Sequence, residues 1–433
     1  MQNDPTSSKS LLKRAARVFA PCVYGTIYGR IANPTMPAGG PQFFTRAKGA
    51  RLWDVDGREY IDYLCAYGPN LLGYGDPRVE AAAERQRALG DTMTGPGPVM
   101  VELAEKLIET VSHADWALFA KNGSDAVNAA LLIARAHTGK RRVLVASGAY
   151  HGTGSWCTPF TGGVLPEERA HRAEYTYNDI ASLEAAVEDA GDDLAAIFVN
   201  AFKHDRCADQ ELPCPEFARR CRELCDRTGA LLVVDDIRAG FRLARDCSWS
   251  LVGVSPDLSC WSKAIANGYA LSAVLGSNSA RKGASRMFIA ATYWAQAVPM
   301  AAAVATLEVI RETNYLEHTV ELGTLLRNGL NERAVAHGFE LSQTGPVQMP
   351  TILFKDDPDL KFDMAFTATM MQRGIYFHAF QNIFLCAAMT KDDIAQTLGA
   401  ADHAFADLAT RRSRIQPHPL VAYRSARVLP ATT

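Results

Sequence analysis

Hydrophobic and polar positions follow two rhythms along this chain. RRVLVASGA, Leu194 to Phe202 and the run from Leu231 are continuous apolar stretches, the pattern of strands buried on both faces. Ala126 to His137 and Phe217 to Arg227 instead carry apolar residues at helical spacing. Trp116 to Ala120 adds a short strand. This alternation predicts an α/β fold with a mostly parallel, doubly wound sheet. Two alternating runs around Asp56-Gly57 predict a hairpin, and helical spacing recurs over Glu80 to Ala88, Val99 to Val111 and the Ala-rich Met300 to Ile310.

Both ends read differently. Ser7 to Phe19 has the spacing of a helical arm that packs on something else, and Gly25 to Pro41 is rich in Gly and Pro and reads as irregular. After Tyr315 come a helix (Glu317 to Ala334), strand-like QMPTILF, a helix (Met364 to Gln372), a short strand GIYFH and a helix (Lys391 to Thr410), the pattern of a smaller α+β domain. The expected division is 1–60 as arm and part of the small domain, 61–312 as the large domain, and 313–433 as the C-terminal small domain.

Composition narrows the class. At 433 residues, 48% hydrophobic and 21% charged, the chain can bury a large core and is expected to be globular. A net charge of −2 gives no reason to expect nucleic acid or an anionic membrane as partner. The N-terminal segment has no apolar core suited to a signal peptide, and no run approaches the roughly 18 apolar residues of a membrane span. Ten cysteines in such a chain fit reduced thiols and a cytoplasmic location. Cys207, Cys214, Cys221 and Cys225 are clustered but lack the CxxC spacing of a zinc site.

The candidate chemistry lies between Leu231 and Ala273. One apolar run ends in Asp235 and Asp236, and the next ends at Lys263, before a small-residue loop around Gly268. Neighbouring strand ends would bring an acid and an amine to one crevice. The amine can form a Schiff base, and the acid can hold a pyridine nitrogen protonated, as pyridoxal phosphate (PLP) requires. Asn122-Gly123-Ser124-Asp125 opens a helix and can receive a phosphate on its N–H groups, although the same residues would cap an ordinary helix. Tyr150, at the end of a strand, can stack on a planar cofactor or simply fill core. Arg30 can clamp a carboxylate or remain solvated.

Together these stretches resemble the class III (ω-type, fold type I) PLP-dependent aminotransferases, nearest the branch of glutamate-1-semialdehyde aminomutase and the β-amino-acid aminotransferases. The resemblance runs from about Gly25 to about Ala406. It implies Lys263, in Ser262-Lys263, as the Schiff-base lysine and Asp235 as partner of the pyridine nitrogen. It implies Gly123 and Ser124 as the phosphate turn, Tyr150 of the Tyr-His-Gly motif as the stacking and substrate-facing aromatic, and Arg30 as a substrate-binding arginine. It also implies that Thr292 is lent to the phosphate by a second subunit, hence a homodimer with shared sites. The expected reaction moves an amino group between an amine or amino acid and a keto acid or aldehyde. The alternatives are an aminomutase or epimerase on the same scaffold, or a PLP-binding protein whose catalysis has decayed.

The chain departs from the family pattern in four places. Asp-Glu-Val is Asp235-Asp236-Ile237, Glu-Pro is Asn200-Ala201, Asn-Pro is Gln296-Ala297, and Ser-Ala-Ala-His-Thr is Cys386-Ala387-Ala388-Met389-Thr390. These changes fall on the surroundings of the cofactor rather than on its anchors.

Overall fold

The computed structural model describes residues 6–19, 40–159, 161–205, 207–379 and 381–417. Its strands, in chain order, are β1 (Phe44–Lys48), β2 (Arg51–Asp54), β3 (Glu59–Asp62), β4 (Trp116–Ala120), β5 (Arg142–Ala146), β6 (Arg172–Tyr175), β7 (Leu194–Asn200), β8 (Leu231–Asp235), β9 (Leu258–Trp261), β10 (Ser272–Gly276), β11 (Leu341–Thr344), β12 (Thr351–Phe354) and β13 (Ile375–Tyr376). Seven of them form the main sheet in the order β4-β10-β9-β8-β7-β5-β6. The pairs β9–β8, β8–β7, β7–β5 and β5–β6 are parallel, whereas β10 runs antiparallel to both β9 and β4.

Every residue of β7 and β8 is buried, which is why their sequences are continuously apolar rather than alternating. The helix Gly123–Thr138 packs against this sheet through Ala126, Ala129, Ala130 and Ala134, small side chains that let the backbones approach closely. The polar sequence of β6 hides its role, since only Tyr175 of its four residues is buried. β10 falls in what reads as loop sequence. It lies against β4, and a Cβ on Gly276 would enter the ring of Trp116.

The expected hairpin is present as β2 and β3, with Gly57 at φ +84° in the turn and Asp54 Oδ1 accepting from the N–H groups of Asp56 (3.0 Å) and Arg58 (2.8 Å). β13 joins this small sheet parallel to β3, pairing Ile375 with Ile61 and Tyr376 with Asp62. The following segment then runs beside the residues after β3, where Phe384 N–H donates to Tyr63 O at 2.7 Å and Ala387 N–H to Leu71 O at 2.8 Å. A separate hydrophobic cluster forms around Leu326, Phe339, Phe354 and Phe405, with the rings of Phe366 and Phe405 stacked 4.7 Å apart.

The N-terminal helix Ser8–Val18 is capped by Ser7, whose Oγ accepts from Ser10 N–H at 3.4 Å, and it leaves Val18 and Phe19 exposed. Among the described residues no helix is long and apolar enough to cross a membrane.

Candidate active site

β8 ends at Asp235 and its parallel neighbour β9 ends at Trp261, two residues before Lys263, so acid and amine emerge at the same edge of the sheet. Asp235 is buried. Its Oδ2 lies 2.7 Å from His151 Nδ1, and its Oδ1 accepts from Ile237 N–H at 3.2 Å. Asp236, one residue on, belongs to a different network, as the alternation of strand side chains requires. Its carboxylate accepts from Ser248 N–H at 2.7 Å and Ser248 Oγ at 2.5 Å, and burial pushes its carboxyl up to about 6.

Lys263 opens the short turn Lys263–Ala266 with φ at 48°, a left-handed conformation rare outside glycine. The surrounding loop fixes it. Ser262 Oγ donates to Leu271 O at 2.9 Å, and Asn267 accepts from Leu72 N–H at 2.8 Å while donating to Gly73 O at 2.9 Å. Lys263 is half-buried. Burial pushes its amine down to about 7, Arg238 and Arg242 push the same way, and Asp235 opposes them. A Cβ on Gly68 would come within 3.5 Å of Lys263 Cδ and 3.1 Å of the Phe384 ring, so the turn that carries Gly68 walls the lysine.

The turn expected to receive phosphate stands opposite. Gly123 and Ser124 begin the helix Gly123–Thr138, whose first N–H groups have no acceptor within the helix. Asp125 holds the turn by accepting from Asn122 N–H at 2.8 Å and Lys121 N–H at 3.3 Å. Ser124 Oγ accepts from Thr153 N–H at 3.0 Å. The loop after β5 passes so close that a Cβ on Gly152, at φ +112°, would lie 2.6 Å from Ser124 Oγ. On the other side a Cβ on Gly123 would lie 2.8 Å from Ile237 Cδ1, so the phosphate turn and the residue two beyond Asp235 are packed together.

Tyr150 remains 41% exposed in the cleft. Its hydroxyl is raised chiefly by burial, with Cys157 and Asp235 adding to the shift and Arg238 opposing it. Three residues not singled out from the sequence join them. His151 is bonded to Asp235, and its Nε2 is buried without a hydrogen-bond partner among the described residues. Burial holds the His204 imidazole well below its usual range, and Arg238, Lys263 and His151 push it further down. Arg238 donates from Nη1 to Asn382 Oδ1 at 2.7 Å. The signal for His151 was its place beside Tyr150; for Arg238 it was its position on the turn after Asp235. The sequence carried no comparable signal for His204.

The remaining expectations divide. Arg30 lies outside the described residues. Thr292 is exposed in the segment 285–296, and its hydroxyl has no partner among the described residues. Two departures from the family pattern have structural partners. Asn200 stands in register beside Asp235, and Gln296 donates to Asp91 Oδ2 and Thr92 Oγ1, both at 3.0 Å. Among the described residues no group of three or more His, Cys, Asp or Glu is placed to hold a metal ion.

This donor set fits PLP. A buried carboxylate suits a pyridinium N–H, an amine with lowered basicity suits a Schiff base, and a hydroxyl at a helix N-terminus suits a phosphate.

The comparisons with known proteins agree with this fit. The family model Aminotransferase class-III matches residues 35–404. The chain is 53% identical over 416 residues to the aminopentol aminotransferase of Sphingopyxis macrogoltabida, covering 96% of this chain and 98% of that protein. It is 32% identical over 378 residues to the 3-aminobutyryl-CoA aminotransferase of Cloacimonas acidaminovorans, covering 86% and 91%. The solved PLP internal aldimine form of the FumI protein of Sphingopyxis sp. MTA144 superposes with a TM-score of 0.93 at 53% identity, covering 96% of this chain and 99% of that one. The chain therefore belongs to the class-III aminotransferases and is a PLP-dependent enzyme of fold type I.

Proposed function

We propose that this aminotransferase takes its amino group from an extended amine bearing hydroxyls and passes it to a keto acid. The name of the aminopentol relative supports the donor, because the identity of 53% extends over 96% of this chain. The observation that carries the site assignment is the emergence of Asp235 and a Lys263 amine of lowered basicity at adjacent parallel strand ends.

Bound there, PLP supplies a carbonyl carbon for the amine and an electron sink for the carbon that loses its proton. Asp235 keeps the proton on the pyridine nitrogen through a charge-assisted hydrogen bond. His151 Nδ1 donates to Asp235 Oδ2, which orients the carboxylate. Gly123 and Ser124 bind the phosphate with the helix N-terminus, and Tyr150 covers the ring. Lys263 Nζ, its basicity lowered by burial to about 7, takes the proton from the substrate carbon and returns it on the other side of the transfer.

The same reading assigns the chain to a cytoplasmic homodimer in which Thr292 of the partner subunit completes the phosphate site. The exposed segment 285–296 supports the shared site, and the free state of the described cysteines supports the location. Arg30 remains a proposed substrate ligand. The proposed division into 61–312 and 313–433 is supported by the cluster that draws most of its residues from 322–408, which Ile61, Phe202 and Ala239 also join.

The test is a half-reaction. Holoenzyme is mixed with hydroxylated long-chain amines without an acceptor, and the absorbance of the bound cofactor is followed. Bleaching, reversed by a keto acid, is the expected result. Bleaching by amino acids but by none of the hydroxylated amines would overturn the donor assignment.

A further inference from the structure

We propose that Thr153 is a positioning residue for the cofactor's phosphate: its hydroxyl sets that of Ser124 so that the Ser124 proton is left for the phosphate. The proposal rests on the reading above that Ser124 binds this phosphate, and on nothing about the substrates.

A hydroxyl can accept two hydrogen bonds and donate one. Ser124 Oγ accepts from Thr153 N–H at 3.0 Å, and Thr153 Oγ1 donates to the same oxygen at 3.3 Å. One residue thereby fills both acceptor places. Ser124 Oγ donates to no group among the described residues, so its proton is the one capacity left over. A serine hydroxyl with no such partners turns among its staggered positions. Held from behind by Thr153, it meets an anion as a donor already set, and less freedom is lost when the phosphate arrives.

The loop that carries Thr153 is fastened to the helix Gly123–Thr138 at two successive turns. Thr153 sits on Ser124, and the buried Trp156 donates from Nε1 to Asn128 Oδ1 at 2.7 Å. Ser124 and Asn128 are four residues apart and share one face of the helix. Arg169 holds the loop from its other side, Nε donating to Ser155 O at 3.0 Å. Gly152 permits the approach, since a Cβ there would lie 3.0 Å from Ser124 Cα as well as against its Oγ. One residue earlier, His151 bonds Asp235. Residues 151–153 therefore brace both anchors of the cofactor, the acid for its ring nitrogen and the hydroxyl for its phosphate. Thr153 is exposed, so its hydroxyl adds little to the packing of the fold and its loss is to be read at the phosphate.

The test is a titration of apo-protein with PLP, read by the absorbance of the captured cofactor. Thr153→Val keeps the shape and the backbone N–H and removes the hydroxyl. It is expected to raise the dissociation constant about fivefold, the net contribution of one hydrogen bond. Thr153→Ser should stay within about twofold of wild type, because the hydroxyl is kept. Pyridoxal, which carries the ring and the aldehyde but no phosphate, should bind Thr153→Val as it binds wild type. Ser124→Ala should weaken PLP by about tenfold or more, the loss of a bond to a charged group. Adding Thr153→Val to Ser124→Ala should change the affinity by less than about twofold, because Thr153 acts only through Ser124. Unchanged PLP affinity in Thr153→Val, an equal loss for pyridoxal, or a full further loss in the double variant would overturn the proposal and leave the assignment of Ser124 standing. Wild-type PLP affinity in Ser124→Ala would remove that assignment and this proposal with it.

Discussion

His151 Nδ1 and Asp235 Oδ2 lie 2.7 Å apart at the buried floor of the cleft, in a contact between residues that are 84 apart in the chain. Asp236 is next to Asp235 and equally buried, yet both of its oxygens are committed to Ser248. Asp235→Asn is therefore expected to lower turnover by at least about a hundredfold, since it removes a charge aimed at the cofactor. Asp236→Asn should cost less than about tenfold in turnover. Steady-state rates at saturating substrate check the ranking, and the reverse order would show that the strand is misregistered.

Lys263→Ala should fold and bind PLP weakly but show no turnover. In wild-type holoenzyme, borohydride reduction followed by peptide mass analysis should find the cofactor on Lys263. A label on any other lysine would refute the assignment.

The lowered basicity of Lys263 sets a pH window. Its amine titrates at about 7 in the fold against 10.5 for an ordinary lysine, so the unfolded chain holds the extra proton between these values. Stability of the apo-protein should rise as pH climbs through that window. The rate of PLP capture, which needs a neutral amine, should rise with a midpoint near 7 and then level off. Stopped-flow absorbance on apo-protein measures it, and Arg238→Gln should move the midpoint upward, because Arg238 is one of the groups that lowers it.

Much of this site could be read from the chain, for reasons that individual residues make clear. Asp235, Lys263 and the Gly123-Ser124 turn stand at the ends of buried apolar runs or at a helix start, where local pattern and chemistry coincide. β6 escaped notice because it is a polar edge strand, and β10 because small residues disguise it. Arg238 had only its place after Asp235 to mark it and His204 had nothing, because local sequence does not say where a side chain on a turn points. Their place is fixed by contacts such as that with Asn382, 144 residues away. The parallel pairing of β13 with β3 had no local signal in the sequence, because the two strands lie more than 300 residues apart.

Thr292 tests assembly. If a second subunit's threonine completes the phosphate site, Thr292→Val should weaken PLP binding by about tenfold with little change in thermal stability. Titration of apo-protein with PLP, run beside sedimentation of the holoenzyme, checks both halves. A fully active monomer would refute the shared site.

Gly152→Ala tests the close approach above Ser124. A methyl there would meet Ser124 Oγ at 2.6 Å on a backbone at φ +112°. The expected cost is about 2 kcal/mol of stability together with weaker PLP binding. Thermal unfolding with and without added PLP separates the two effects.

Arg242 is fully buried, with Nη2 donating to Gly68 O at 2.7 Å and Nη1 to Leu385 O at 2.9 Å. One guanidinium thus clasps a turn made early in synthesis to a segment made near its end. A ribosome that has already released Lys263 and Asp235 has not yet delivered the partner that closes the wall beside them. The growing chain must carry an unfinished pocket through the 122 residues from Lys263 to Leu385, a period in which chaperone binding or premature cofactor loading would have its greatest leverage.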